Sequence, residues 1–399
     1  MSRPVVLVVL AALILSGAVL AVSTFGQAVV KKQVGDVTPA LSPALQMARP
    51  VEGQKADQRL QLPEGLQATL FSTQTPGARD LQFSPDGTLL VSLRAKGQVI
   101  ALPDRDGDGV ADRVVNVLSN VRNPHGLAFR NGKLFVASER ELNRYTWDEE
   151  TLTATFEKKL ADLPSGGSGH FTRSLVFDNQ GNLYISVGST CNVCTERDDR
   201  NATVLITNEE GENVRTYATG LRNSVFMTLH DSTDEVWATE NSRDLLGDDV
   251  PPDEINILEE NGNYGWPFCY SNQVVDTTFG GKDQAYCNGT IPPLHAIQAH
   301  SAALGLTFID SRQFPDAWQG DLLVAYHGSW NRSVPTGYKV VRMTVDGNRI
   351  TGESDFMTGF LQGDQTLGRP VDLTFDQNGR LYISDDKAGV IYLVSSTQL

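Results

Sequence analysis

The sequence predicts an all-β protein that folds as a six-bladed β-propeller with four-stranded blades. The first observation is a repeated hairpin, in which an apolar strand and a turn containing Gly or Asp precede a second, alternating strand. The second observation is the spacing of the repeat, which for three successive intervals is close to the length of one propeller blade. The third is that no part of the chain sustains helical periodicity.

The hairpin occurs six times. The last apolar residues of its first strands are Phe83, Phe129, Phe177, Leu229, Phe308 and Phe375. Their separations are 46, 48, 52, 79 and 67 residues, and the two larger values imply insertions in particular loops. We therefore assign residues 61–399 to the propeller. A β-sandwich or a pair of small barrels is the alternative fold, and regular repetition of one hairpin argues against it.

The N-terminal residues 1–22 are predicted to form a signal peptide or an uncleaved N-terminal anchor. Arg3 precedes an unbroken apolar stretch from Val5 to Val22, which is long for a signal peptide and just long enough to span a bilayer. Residues 23–60 are polar, contain proline and lack periodicity, which indicates a linker. Either form of the N-terminus places the propeller outside the cytoplasm, in the periplasm or the extracellular space. The membrane is then involved only through an anchor.

The four cysteines fit an oxidising compartment. Cys191 and Cys194 form a CxxC motif, whereas Cys269 and Cys287 are 18 residues apart. A four-cysteine zinc site is the alternative, but its two halves would normally both be CxxC pairs. The spacing therefore favours two local disulfides, Cys191–Cys194 and Cys269–Cys287.

The charge and the motifs exclude several functions. The formal net charge of −15 argues against a nucleic-acid partner, since polyanions bind basic grooves. The chain has no GxGxxG motif after a strand and no Walker-type loop, which argues against a nucleotide cofactor.

Residues just before the repeated first strands are expected to converge at one mouth of the propeller channel. These residues are Arg79, Asp80, Pro124, His125, His170, Thr172, Arg173, Arg222, Asn223, His300, Ser301, Arg369 and Asp372. Arginine pairs with carboxylates and stacks on flat rings, and neutral histidine is a base near neutral pH. The set therefore suits a planar polyanion held beside a general base, although each residue alone could be an ordinary polar loop residue.

Three motifs give the chain a specific resemblance. They are GHFTRSLVFDNQGNLYISVG, GLRNS and PPDEINILEENGNYGWP. Together they resemble the soluble quinoprotein sugar dehydrogenases, the aldose sugar, glucose and sorbosone dehydrogenases that use pyrroloquinoline quinone (PQQ). The resemblance covers nearly everything after residue 60. It implies oxidation of a sugar by hydride transfer to PQQ, an EC 1.1.5-type activity, with an external quinone or redox protein as electron acceptor.

The resemblance also implies roles for individual residues. His170 matches the catalytic base of the family, and Arg222 with Asn223 matches a pair that contacts the quinone, Arg222 stabilising charge on its oxygen. Arg369 matches an arginine that lies against the cofactor. From the same predicted mouth, His125 and Arg173 are assigned to cofactor binding.

Calcium is the second cofactor that the resemblance implies. Ser242 and Arg243 lie in the stretch whose backbone carbonyls bind the Ca²⁺ ion of the cofactor in relatives. Glu254 and Tyr264 match a second, structural Ca²⁺ site.

The sequence departs from the family pattern at three positions. Val371 stands where a second arginine is expected, and Val225 stands where close glucose-oxidising relatives have glutamine. A lysine expected after LLVAY has no clear match, and of His327 and Arg332, which follow that strand, Arg332 is the favoured replacement. These departures favour a sorbosone or pyranose type of substrate over a strict glucose enzyme.

The segment DRDGDGVAD indicates a separate calcium loop. Its carboxylates are Asp104, Asp106, Asp108 and Asp112. Alternating oxygen ligands with glycine at the sixth position resemble an EF-hand loop, but the twelfth position is Val115 in place of the usual glutamate. A solvated, Asp-rich turn is the alternative.

Two other functions stay open on the sequence alone. A calcium-dependent lactonase would need carboxylates and asparagines around one ion in the channel, whereas arginine and histidine dominate the predicted mouth. A binding or adhesion propeller without cofactor would keep the fold and lose the chemistry, because fold does not determine function.

Overall fold

The computed structural model describes residues 56–165 and 169–397. The predicted signal peptide or anchor, residues 1–22, and residues 23–55 of the predicted linker lie outside the described residues. Within residues 56–60 the backbone N–H of Ala56 donates to the carbonyl of Ala68, so this end of the predicted linker packs on the first strand. In the described part of the chain, no helix has both the length and the apolar character needed to cross a membrane.

The strands form six four-stranded blades, which confirms the predicted fold. Strand β1 (Leu66–Ser72) belongs to the sixth blade. The first blade contains β2 (Ala78–Phe83), β3 (Leu89–Leu93), β4 (Gln98–Leu102) and β5 (Val115–Leu118). The second contains β6 (Leu127–Arg130), β7 (Lys133–Ala137), β8 (Glu141–Asp148) and β9 (Thr153–Asp162). The third contains β10 (Leu175–Phe177), β11 (Asn182–Val187), β12 (Thr203–Asn208) and β13 (Arg215–Thr219), with β17 (Gly262–Asn263) added in parallel at its edge.

The remaining blades carry the insertions. The fourth contains β14 (Met227–His230), β15 (Glu235–Glu240), β16 (Asp253–Ile257) and β20 (His295–Ile297). The fifth contains β21 (Ala303–Phe308), β22 (Leu322–Tyr326), β23 (Lys339–Val345) and β24 (Ile350–Met357). The sixth contains β27 (Pro370–Phe375), β28 (Leu381–Asp385) and β29 (Val390–Ser396), completed by β1. Two short ribbons are β18 (Cys269–Tyr270) with β19 (Val274–Val275), and β25 (Leu361–Gln362) with β26 (Gln365–Thr366).

The long repeat intervals now have a structural cause. The segment between β16 and β20 holds β17, the β18–β19 ribbon and a short helix α1 (Gln284–Cys287). The last interval contains a long loop after β22 and the β25–β26 ribbon. Two further 3₁₀ turns span Arg94–Lys96 and Asp316–Trp318.

The innermost strands form a closed ring, because β2, β6, β10, β14, β21 and β27 contact one another in this order and β27 returns to β2. The hydrophobic core lies between neighbouring blades. Phe71 and Tyr382 of the sixth blade, for example, pack with Leu89 and Ile100 of the first. The antiparallel pairing of β1 with β29 places a strand that precedes the first blade in the last blade, which closes the ring of blades.

Candidate active site

A cavity of about 680 Å³ opens at one end of the ring. It lies where the first strand of each blade begins and the second strand ends, since these strands are antiparallel neighbours. Segments at the start of first strands contribute Gly77, Arg79, Gly169, His170, Phe171, Thr172, Arg222, Asn223, Val225, His300, Ala302 and Arg369. Loops after second strands contribute Arg94, Ala95, Asn241, Ser242, Asp244, His327, Gly328, Trp330, Asn331 and Asp386. Most of the predicted ring of polar residues is thus brought together.

His170 presents a neutral imidazole to this cavity. Its Nδ1 lies 2.9 Å from Ser189 Oγ and 3.1 Å from the Ser189 carbonyl oxygen. Burial and the nearby charge of Arg222 lower the pKa of His170 from 6.5 to about 3, although the Ser189 carbonyl works in the opposite direction. The imidazole is therefore unprotonated at neutral pH, which is the state that a general base needs.

Two glycines let the His170 segment lie flush against the end of β11. A Cβ atom on Gly169 would come within 2.6 Å of the carbonyl carbon of Thr190. A Cβ atom on Gly188 would come within 2.5 Å of the His170 Cβ atom. Both contacts are too short for a side chain, so glycine is required at these positions for the observed approach.

Arg222 is held in one orientation by four hydrogen bonds. Nε donates to the Asn192 carbonyl at 3.0 Å, and Nη1 donates to the Asn241 carbonyl at 3.0 Å. Nη2 donates to Asn192 Oδ1 and to Asp244 Oδ2, both at 2.9 Å. A guanidinium has five N–H donors, so among the described residues one Nη1–H of Arg222 has no acceptor. The neighbouring Asn223 carboxamide also lines the cavity and has no hydrogen-bond partner in this part of the chain.

Arg369 enters the cavity from the sixth blade. Its Nε donates to the His327 carbonyl at 3.1 Å, and its Nη2 donates to the Gly328 carbonyl at 2.7 Å. The guanidinium also lies over the ring of Tyr338, with 5.2 Å between the guanidinium carbon and the ring centroid. These contacts fix Arg369 and leave its Nη1 without an acceptor among the residues the structure describes.

A further cationic residue, Arg79, lies on the first-blade side of the cavity. Arg79 donates to Asp386 at 3.0 Å, and His327 Nε2 lies 2.9 Å from the other oxygen of that carboxylate. Burial by itself would raise the pKa of Asp386. The hydrogen bond with His327 and the charges of His327 and Arg79 outweigh burial and hold this pKa well below its usual value. Asp386 is therefore a carboxylate whose charge is already compensated.

Arg94 lines the cavity and was missed by the sequence analysis. Its guanidinium stacks over Phe171 at 4.2 Å and has no hydrogen bond or salt bridge within residues 56–165 and 169–397. Burial and the repulsion of Arg79 lower the pKa of Arg94. A half-buried guanidinium without a counter-ion, beside a second cation, fits a site for an anionic ligand.

Three residues predicted to bind the cofactor do not line the cavity. His125 is fully buried behind it, with its ring against Phe226. Arg173 is also fully buried and donates to the carbonyls of Pro164, His170 and Thr172, so it supports the His170 segment from below.

Arg332 lies behind the rim of the cavity, where it donates to the carbonyls of Asp248 and Ala299. Of the two residues considered for this position, His327, the alternative that the sequence analysis did not favour, lines the cavity. The loop that follows β22 has a turn at Gly328, whose φ is 101°, between His327 and Arg332.

The predicted calcium ligands of the fourth blade surround a second, much smaller cavity of about 20 Å³. Ser242, Arg243, Glu254 and Tyr264 all line it, and Ser242 lines the main cavity as well. The carbonyls of Ser242, Arg243 and Tyr264 accept no hydrogen bond from any described residue. The Tyr264 hydroxyl donates to the Ile257 carbonyl at 2.5 Å, so only its backbone oxygen is available.

Carboxylates complete the lining of this small cavity: they belong to Glu240, Glu254 and Asp276. Burial raises the pKa of Glu240 to about 8 and that of Glu254 to about 7. Free carbonyl oxygens and buried carboxyl groups around a space of this size suit a hard cation such as Ca²⁺.

The Asp-rich loop between β4 and β5 gathers three of its four carboxylates. Oxygens of Asp104, Asp106 and Asp108 lie within 4.8 Å of one another. Asp112 is turned away and accepts from the backbone N–H of Arg105 at 2.9 Å. One oxygen of Asp104 is buried without any partner in the described structure.

Both predicted disulfides are present, Cys191–Cys194 and Cys269–Cys287. The first closes a four-residue loop beside His170 and Arg222. The second ties α1 to the β18–β19 ribbon in the inserted segment.

Comparisons with known proteins agree with this architecture. The TrAA12-like family model matches residues 60–397. An uncharacterized protein of Borreliella burgdorferi is 28% identical over 358 residues, which is 84% of this chain and 90% of that protein. A pyrroloquinoline quinone-dependent sugar dehydrogenase of Hypocrea jecorina is 25% identical over 392 residues, covering 84% of this chain and 89% of that enzyme.

Among solved structures, the iodide and calcium structures of the Trichoderma reesei carbohydrate-active enzyme of family AA12 are similar, each with a TM-score of 0.73 and 23% identity. They cover 85% of this chain and 98% and 97% of those chains. The resemblance predicted from the sequence motifs is thereby confirmed.

Proposed function

Because the chain belongs to the TrAA12-like family, we propose that it is a PQQ-dependent oxidoreductase that oxidises a sugar or sugar aldehyde of the aldose, pyranose or sorbosone type. The observation that carries the proposal is a neutral, buried imidazole, His170, in a cavity that is otherwise rich in guanidinium groups. Neither a lactonase nor a binding propeller needs this combination.

The cavity fits PQQ by its size and its charge. A volume of about 680 Å³ lies within the usual range for cofactor sites. PQQ is a planar quinone that carries carboxylates, and Arg94, Arg222 and Arg369 each offer donors to such a group. When bound, PQQ would supply the centre that accepts hydride from the substrate, which side chains cannot do.

His170 would remove the proton from the substrate hydroxyl. Its Nδ1 is engaged with Ser189, so Nε2 is the nitrogen available to a ligand in the cavity. The low pKa keeps this nitrogen unprotonated at the start of the reaction. Arg222 would donate its remaining N–H to an oxygen that gains negative charge, which is a preorganised electrostatic role.

Two Ca²⁺ sites are part of the proposal. Ser242 and Arg243 would provide backbone oxygens next to the main cavity, and Glu254 with the Tyr264 carbonyl would hold an ion in the small cavity. Oxygen-only donors of this kind are the usual ligands of Ca²⁺.

The binding experiment is a PQQ titration of the apoprotein followed by tryptophan fluorescence, since Trp330 lines the cavity. We expect saturable binding of one PQQ per chain, strengthened by Ca²⁺. Absence of saturable PQQ binding in the presence of Ca²⁺ would contradict the proposal.

Replacing Arg94 by alanine is expected to weaken PQQ binding by about 10- to 100-fold, because a charge-assisted hydrogen bond is lost from a half-buried site. The matched control is Lys96→Ala, which removes an equal charge two residues away in the same 3₁₀ turn but outside the cavity. The control is expected to bind PQQ within about twofold of the wild type, since exposed charges are screened. Equal affinities for both variants would show that Arg94 does not contact the cofactor.

The Asp104 loop is proposed as a third Ca²⁺ site that strengthens the closure of the ring. The Ala111 N–H donates to the Phe71 carbonyl of β1 at 2.8 Å, and Arg380 of the sixth blade donates to Asp104 at 3.4 Å. The loop therefore bridges the first and last blades, where a bound ion would oppose their separation.

Saturating Ca²⁺ is expected to raise the Tm of the wild type by about 3–8 °C. The double substitution Asp106→Asn and Asp108→Asn is expected to remove a measurable part of that increase. Substituting the exposed Asp199 and Asp231 in the same way is the control and should leave the increase intact. A full Ca²⁺ response in the Asp106/Asp108 variant would favour the solvated turn.

We also propose that the protein is exported and passes its electrons to an external quinone or redox protein. The two disulfides support an oxidising compartment. The sequence carries no CxxCH haem-attachment motif, which supports an acceptor on another molecule.

A further inference from the structure

We propose that the loop of residues 189–194, whose last four residues are closed by the Cys191–Cys194 disulfide, positions both His170 and Arg222, with Ser189 and Asn192 as the two positioning residues. The effect of this loop on turnover rests on the proposed function. Its effect on the protonation of His170 does not, because that can be measured in the apoprotein.

Ser189 determines which nitrogen of His170 carries the proton. The Ser189 hydroxyl donates its single proton to the Cys191 carbonyl at 2.6 Å. Towards His170 Nδ1, at 2.9 Å, the same oxygen can therefore only accept. The Ser189 carbonyl, 3.1 Å from Nδ1, is also only an acceptor. Nδ1 must carry the proton, and the lone pair is on Nε2, the nitrogen available to a ligand.

Asn192 fixes the guanidinium of Arg222 from the same loop. Its carbonyl accepts from Nε, and its Oδ1 accepts from Nη2. The Asn192 side chain is itself held, because its Nδ2 donates to the Asp244 carbonyl at 3.0 Å and its Oδ1 also accepts from the Asp244 N–H at 2.8 Å. Two of the four hydrogen bonds that orient Arg222 thus come from one residue inside the disulfide loop.

The loop has its own supports. The Thr190 N–H and hydroxyl both donate to the Glu196 carboxylate at 2.7 Å, which spans the disulfide on its outer side. The Ser189 N–H donates to the Arg222 carbonyl at 2.7 Å, so the loop also joins the backbones of the third and fourth blades. The disulfide restrains the backbone at Cys191, whose carbonyl accepts from the Ser189 hydroxyl, and at Asn192 inside the closed ring.

This arrangement places one hydrogen-bond acceptor and one donor at the same site. His170 is left with one free acceptor nitrogen and Arg222 with one free N–H, and both are preorganised before any ligand enters. Side chains fixed by packing and by hydrogen bonds in this way spare the reorganisation that a mobile base and a mobile cation would require.

The first experiment measures the state of His170 by ¹⁵N NMR of the apoprotein. The wild type is expected to show the Nδ1–H tautomer and no titration between pH 5 and pH 8, because the pKa of His170 is about 3. Folding lowers this pKa from 6.5, so falling pH between these two values favours the unfolded state. A wild-type His170 protonated on Nε2, or one that titrates near pH 6.5, would overturn the proposal without any variant.

Ser189→Ala tests the hydroxyl directly. We expect a mixture of the two neutral tautomers and a kcat about 5- to 10-fold below the wild type, since one of two acceptors is lost. The matched control is Ser186→Ala, in the preceding strand β11 and equally buried, whose hydroxyl accepts from the backbone N–H of Ser174. The conservative variant Ser189→Thr is expected to keep the Nδ1–H tautomer. Identical tautomers in the Ser189→Ala and Ser186→Ala variants would reject a positioning role for Ser189.

Asn192→Ala tests the other half of the loop. We expect PQQ affinity and kcat each to fall by about 5- to 10-fold, because Arg222 loses its hydrogen bond to Asn192 Oδ1, one of four, while the bond to the Asn192 backbone carbonyl remains. Asn182→Ala is the control, since Asn182 bonds to Asp178 at the opposite end of the same blade. Wild-type affinity and kcat in Asn192→Ala would reject the role of Asn192.

The double variant Cys191→Ser and Cys194→Ser is expected to show both defects, a mixed His170 tautomer and weakened PQQ binding. A wild-type tautomer together with wild-type PQQ affinity would show that the disulfide itself does not position the two groups. If the wild type bound no PQQ but kept the Nδ1–H tautomer, the proposed function would fail while the assignment of Ser189 would stand.

Discussion

Replacing His170 by asparagine is expected to lower kcat by about 10²- to 10⁴-fold while PQQ still binds. The asparagine amide can replace the Nδ1–H donor towards Ser189, so the segment should keep its place. Asparagine cannot accept a proton at neutral pH, however, and the base is lost. The measurement is steady-state, dye-linked oxidation with PQQ and Ca²⁺ at saturation, alongside PQQ titration of the same variant.

His300 provides the comparison, because it is another imidazole that lines the cavity. Its Nε2 lies 2.9 Å from the Gly247 carbonyl and must donate there. We expect His300→Asn to reduce kcat by less than about 10-fold, the loss of one hydrogen bond. A large loss in His300→Asn together with full turnover in His170→Asn would assign the base to His300.

Replacing Arg222 by alanine is expected to lower kcat by about 10²- to 10³-fold, since a preorganised donor to developing negative charge is removed. Lysine should not restore the rate. A single ammonium group cannot satisfy the carbonyls of Asn192 and Asn241 and the carboxylate of Asp244 while also donating into the cavity. The measurement is kcat and the PQQ affinity of Arg222→Ala and Arg222→Lys.

Arg215→Ala is the control for Arg222, because Arg215 pairs with Glu260 and half of its side chain is exposed. It is expected to leave kcat within about twofold of the wild type, since exposed salt bridges contribute little. If Arg222→Lys retained wild-type kcat, the orientation of the guanidinium would be unimportant and the electrostatic role assigned to it would be wrong.

The fold was predictable from the sequence because a propeller repeats one local pattern. The strands that contain Phe83, Phe129 and Phe177 are innermost strands of three successive blades, as their spacing indicated. Both disulfides were predictable for a related reason, since short separations along the chain leave few alternative partners. The lengths of the inserted segments were visible, but not their structure.

The candidate site was predictable only in part, because the residues at the start of the first strands, on which the prediction was based, form only about half of the cavity wall. The other half comes from loops after second strands, which reach the same end by antiparallel pairing. Arg94 and Asp386 follow β3 and β28 in this way. Adding the residues that follow the repeated second strands would have found both.

Some residues, such as Arg173, belong to segments that reach the cavity but do not line it themselves, and the direction of their side chains is the reason. His170 and Thr172 line the cavity, whereas Arg173, the next residue, turns beneath it. Sequence position cannot show that the terminal nitrogens of Arg173 donate to the backbone carbonyls of Pro164, His170 and Thr172. The choice between His327 and Arg332 likewise depended on which carbonyls accept from Arg332, and the sequence does not reveal them.

The most direct test of the central proposal is dye-linked oxidation of a panel of aldoses, pyranoses and sorbosone by purified apoprotein, with and without PQQ and Ca²⁺. The proposal predicts turnover that requires PQQ, is strengthened by Ca²⁺, and is lost in His170→Asn. No turnover with any sugar, although PQQ binds at one site per chain, would contradict sugar oxidation. No turnover and no PQQ binding would instead indicate a binding propeller that has kept the fold without the cofactor.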